Sequence, residues 1–97
     1  MQDPCEIAAK DALLMFDLYS VDDAPCQEAL QAVIDAKAPA RLLLLEVALS
    51  RLEFQAAIAP DKRRAACFVH AINYVEDGLE LCRTAAPEDS GLKDGTG

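Results

Sequence analysis

No glycine occurs in the first 77 residues of this chain. The Asn-Gly, Asp-Gly and Gly-Gly pairs that make tight hairpins are missing from that stretch, so strands have little support. Prolines punctuate it instead, at Pro4, Pro25, Pro39 and Pro60. Each stands at or near the start of an apolar-periodic segment, where a helix tolerates proline. The expectation is an all-α fold, a small antiparallel bundle of about four helices.

The spacing predicts the first helix from about Pro4 to Tyr19. Asp3 is its N-cap, with Glu6 three residues on as in a capping box. Ala8, Ala12, Met15 and Tyr19 form an apolar face, widened by Ile7, Leu14 and Leu18 on one side and by Phe16 on the other. Leu13 falls near the polar face, and Asp11 falls among apolar residues. The second helix is expected from about Ala24 to Lys37 behind Asp22 or Asp23. Its single apolar face carries Cys26, Leu30 and Val33.

The third helix, about Ala40 to Ile58, is apolar on two sides. Leu45, Leu49, Leu52 and Ala56 make one stripe. Leu43, Val47, Phe54 and Ile58 make another, nearly opposite. A helix of this kind needs cover on both faces, so it is either the centre of the bundle or the seam of a dimer. The fourth helix runs from about Asp61 to Ala85. Ala65, Phe68, Ile72, Val75, Leu79 and Cys82 form a packing seam at alternating three- and four-residue steps. Beside it runs a shallower stripe containing the small residues Ala71 and Gly78, where another helix can approach closely. Residues 1–86 are read as the helical domain. Residues 87–97, with almost no apolar content, are read as a flexible tail.

Composition sharpens this picture. Apolar residues make up 53% of only 97 positions, more than a four-helix monomer of this length easily hides. A second buried surface is expected, most simply a homodimer or another protein. The net charge of −8 argues against nucleic acid and anionic membranes as partners. No run is long and apolar enough for a membrane span. Together with an N-terminus that lacks a signal-peptide pattern, this places the chain in the cytoplasm.

The residue types that carry chemistry are sparse. Cys5, Cys26, Cys67 and Cys82 lack the close pairs of a zinc site and form no C-x-x-C motif. Cys67 and Cys82 read as small apolar residues, and the four thiols as reduced. Cys5 and Cys26 sit in first helical turns, where the macrodipole favours a thiolate. An exposed Cys5 is open to an intermolecular disulfide in air. His70 lies on a polar face with Asn73 and Asp77 and reads as solvated. Lys62, Arg63 and Arg64 form a basic cluster at the start of the fourth helix. It is neutralised by nearby acids or faces an acidic partner. No phosphate loop, H-E-x-x-H, EF-hand or G-x-S-x-G pattern occurs.

These observations assign no catalytic, cofactor-binding or metal residues and point away from an enzyme. They lead to a regulatory or adaptor protein that acts by contact, such as an anti-activator or small chaperone. Its expected contact residues are Leu13, Phe16, Tyr19, Leu43, Val47, Phe54 and Ile58. The alternatives are a structural subunit of a larger assembly and a thiol-based redox sensor using Cys5 or Cys26.

Overall fold

Three of the four helix starts are held by an aspartate, and these caps set where each segment enters the bundle. In a computed structural model, which describes residues 3–89, the helices are α1 (Pro4–Leu18), α2 (Ala24–Asp35), α3 (Ala38–Ile58) and α4 (Lys62–Asp89). Asp3 accepts from the Cys5 N–H at 2.8 Å, Asp23 from the Cys26 N–H at 3.1 Å and Asp61 from the Arg64 N–H at 2.8 Å. Each cap satisfies one of the amide donors that a helix start leaves free. At α2 the cap is reciprocal, because Gln27 Oε1 accepts from the Asp23 N–H at 3.0 Å.

The start of α3 has no side-chain cap of this kind. Arg41, one turn in, organises the α2–α3 corner instead. Its guanidinium donates to the Ala36 carbonyl at 2.7 Å and the Ile34 carbonyl at 3.2 Å. It also pairs with Asp3 at 3.2 Å and Glu6 at 3.3 Å on α1. One side chain thus satisfies carbonyls at the end of α2 and ties the corner to the start of α1. It accompanies an α2 that stops at Asp35, two residues short of the expected end, and an α3 that begins two residues early.

Helix α1 ends in a Schellman motif. The Val21 N–H bonds the Phe16 carbonyl at 2.9 Å and the Ser20 N–H bonds the Asp17 carbonyl at 3.2 Å. This geometry places the connecting residue in the left-handed region, and Ser20 stands there at φ 55°. Glycine is the usual occupant, because a Cβ is disfavoured in that conformation. Val21 is buried just beyond the turn, which supplies the apolar contact that accompanies the motif.

The core is one continuous cluster with contributions from all four helices. Helices α1 and α4 run antiparallel and make its densest seam. Phe16 meets Phe68 edge to face with ring centroids 5.8 Å apart, a favoured aromatic geometry. Further along, Gly78 packs directly on Ala8. A Cβ added at Gly78 would collide with the Ala8 Cβ and lie 3.2 Å from the Pro4 carbonyl. The small residues of the fourth helix therefore let α1 approach closely, as their sizes suggest. Ala71 and Gly78 are both fully buried, while Tyr74 and Leu81 in the same stripe are exposed, so that stripe is the shallower of the two on α4, as expected.

Helix α3 packs on α2 and α4 and touches α1 little. One side of it is left exposed at the edge of the bundle, which removes the bundle-centre alternative for its second apolar face. Helix α4 continues through Pro87 to Asp89, three residues into the segment expected as tail. The rest of the expected tail, residues 90–97, lies outside the described residues. No described helix is long and apolar enough to cross a membrane.

Candidate interaction face on the third helix

The inward stripe of α3 is Leu45, Ala48 and Leu52, each without solvent exposure. Leu49 and Ala56 pack beside it, half-buried. The other stripe faces outward. Leu43 is 67% exposed, Val47 46%, Phe54 61% and Ile58 56%. These four recur at steps of four, seven and four residues. They share one side of the helix over about 22 Å, at 1.5 Å per residue. Ser50 and Arg51 sit in the gap and are also exposed. The pattern arises because α2 and α4 take one side of α3 and no described element takes the other.

Two shallow grooves flank the stripe on the α2 side. One, of about 350 Å³, is lined in part by Pro25, Ala29, Ala32, Leu44 and Val47. The second, of about 380 Å³, runs between Pro25, Cys26, Ser50 and Phe54. The apolar surface therefore extends from the outer face of α3 onto the start of α2. Arg51 borders both grooves and Glu28 borders the first, so the rim carries charge of both signs.

The remaining expected contact residues lie elsewhere, on α1 and just beyond it. Phe16 is only 2% exposed and belongs to the core against Phe68, so it is closed to a partner. Leu13 and Tyr19 are half-buried against the same core. The Tyr19 ring stacks on the exposed His70 ring, with centroids 5.7 Å apart. The outward apolar residues of α1 are Ile7, Leu14 and Leu18. The inward side of α1 is set by Cys5, Ala8, Ala9, Ala12 and Phe16. Close approach to α4 selects alanines for that side, whereas hydrophobicity alone favours the bulkier residues. The signal that separates the two is residue size. Gly78 and Ala71 on α4 call for small partners.

The cysteines fall into two classes. Cys26 and Cys67 are buried free thiols. Burial, reinforced by the Asp23 carboxylate and its hydrogen bond, pushes the Cys26 thiol up to about 12. Desolvation thus outweighs the helix N-terminus, and the thiolate expected there does not form near neutrality. Burial also raises Cys67, opposed by the nearby Arg64 charge. Cys5 and Cys82 instead form a disulfide across a sequence separation of 77 residues. Cys5 is buried, and Cys82 is neither a free thiol nor merely an apolar filler. The antiparallel pairing of α1 and α4 brings the start of one beside the end of the other, which spacing along the chain does not reveal. Ligand atoms of Asp3, Cys5 and Cys82 lie within 4.8 Å of one another, but the bonded sulfurs are not free to act as thiolate ligands.

Within the basic cluster, Arg64 folds back onto the bundle. It donates to the Asp22 carbonyl at 3.0 Å, and its guanidinium lies 5.9 Å from the Phe68 ring centroid. Lys62 and Arg63 remain exposed. Comparison of the chain with protein-family models, curated proteins and solved structures returned no match.

Proposed function

We propose that the protein is a non-enzymatic adaptor or regulator that works in the cytoplasm by protein–protein contact. Its contact surface is the outer face of α3, and its first partner is a second copy of the same chain. The observation that carries this reading is the single stripe of Leu43, Val47, Phe54 and Ile58, about half or more exposed along one side of α3. Isolated exposed apolar residues are ordinary, whereas a contiguous stripe flanked by grooves marks a contact surface.

The magnitudes set the size of the contact. Full burial of a large apolar side chain contributes about 1.5–3 kcal/mol, so covering the exposed parts of these four contributes roughly 3–7 kcal/mol per copy and twice that in a symmetric dimer. Association itself costs roughly 4–15 kcal/mol, which offsets most of that gain. The stripe alone supports only a weak complex. A stable one must also use the grooves along Pro25 and Ala29. Phe54 is the expected anchor, because aromatic residues contribute disproportionately when they sit centrally in an interface.

Sedimentation or light scattering from about 10 to 500 μM, the range for a contact of this strength, is the direct test. The expected result is a mass that rises toward the dimer and returns to monomer with Phe54→Asp. A monomer mass for the natural chain throughout the range defeats self-association through this face.

A further inference from the structure

We propose that the Cys5–Cys82 pair is a thiol-exchangeable staple, a redox site that sets how firmly the end of α4 is held against the start of α1. It is independent of the α3 face. The two Cα atoms are 6.5 Å apart, within the range a disulfide spans without backbone movement. The bond ties together segments that are distant in sequence, so opening it restores much conformational freedom to the unfolded chain.

The surroundings make the two sulfurs unequal. Cys5 is 2% exposed, whereas Cys82 is only partly covered. Cys82 Sγ is therefore the point of attack. Cys5 lies in the first turn of α1, where the helix dipole favours negative charge. The Asp3 carboxylate opposes that charge from close by, with Oδ1 4.0 Å from Cys82 Sγ. Arg41, 3.2 Å from Asp3 Oδ2, partly offsets it. The other two cysteines are buried and unpaired, so exchange is confined to this pair.

The co-reactant is a low-molecular-weight thiol. Its thiolate attacks Cys82 Sγ and forms a mixed disulfide. The Cys5–Cys82 bond breaks, its electron pair goes to Cys5 Sγ, and that sulfur takes a proton from water. A second thiolate displaces Cys82 from the mixed disulfide. Overall, two small thiols are oxidised to one disulfide and the protein disulfide is reduced to two thiols. Reduction leaves the end of α4 held by side-chain packing, including Gly78 on Ala8, and by the Arg83–Glu46 ion pair at 2.7 Å.

The experiment uses the full chain equilibrated in oxidised or in reduced glutathione. After the oxidised buffer, cleavage at glutamates should yield residues 1–6 linked to residues 81–88. Thiol titration in denaturant should then find two free thiols, rising to four after reduced glutathione. The thermal midpoint should fall by about 10 °C or more on reduction. Cys82→Ser should match the reduced protein and ignore the reductant. Three results overturn the proposal: four thiols persisting in oxidised glutathione, a bond that millimolar glutathione leaves intact for hours in the folded protein, or equal midpoints in the two buffers. Stoichiometric zinc uptake by the reduced chain, lost in Cys82→Ser, also overturns it by assigning the pair to a metal.

Discussion

The α1–α4 seam and the outer side of α3 use apolar residues to opposite ends. In the seam the residues are mostly small, Ala8, Ala9, Ala12, Ala71 and Gly78, with Phe16 and Phe68 meeting edge to face. The seam is closed at one end by the Cys5–Cys82 bond. On the outer side of α3 the residues are large, and half or more of Leu43, Phe54 and Ile58 remains in contact with solvent. Hydrophobicity alone therefore does not decide burial in this bundle. Close packing needs shapes that let backbones approach, and α1 and α4 supply them to each other. Helix α3 offers bulk on a side that none of the described residues covers.

This contrast can be broken or sharpened by substitution. The largest effect is expected at the centre of the seam, where Phe68→Ala should destabilise by about 3–5 kcal/mol in denaturant unfolding. A loss below 1 kcal/mol would mean that the seam is not the main source of stability. Next comes pH. The Cys26 thiol, pushed up to about 12 in the folded chain, keeps its proton where the unfolded chain loses it. Its contribution is complete below the ordinary value of 9.0 and is lost as the pH rises toward 12. Unfolding midpoints should decline over that window, and Cys26→Ala should flatten the decline.

A smaller loss is expected for Gly78→Ala. Helix propensity favours alanine by about 1 kcal/mol, but the new Cβ collides with Ala8, so a net loss of roughly 1–2 kcal/mol should remain. A gain there would show that the two helices can separate cheaply. Ser20→Gly should stabilise by about 0.5–1 kcal/mol by relieving the left-handed residue after α1. The smallest change in stability belongs to the edge. Phe54→Asp, measured at the lowest workable protein concentration, should alter unfolding by less than about 0.5 kcal/mol. A loss comparable to that of Phe68→Ala would make the outer face part of the fold.

Much of this was legible along the chain. The four helices follow from the lack of glycine, the placement of prolines and the periodicity of Leu45–Leu52 and of Phe68–Leu79. The exposed stripe of α3 follows from its two-sided pattern, once the bundle is known to cover only one side. Helix α1 was harder, because its apolar residues span an arc too wide for periodicity to orient. Leu14 and Leu18 turn outward while Ala9 and Phe16 turn inward. Arg41 was equally hidden. Its partners Asp3 and Glu6 are 38 and 35 positions away, and the carbonyls it satisfies carry no signature in residue type.

By itself, the sequence determined the fold class, the cap at Asp3, a cap at Asp22 or Asp23, and the surplus of apolar side chain. All of these depend on neighbours within a few positions or on composition. Only the tertiary structure decided which face of α1 is interior, that α3 lies at the edge, and that Cys5 meets Cys82. Those outcomes depend on how closely two helices can approach and which ends they bring together. That is a property of paired surfaces, which no single segment contains.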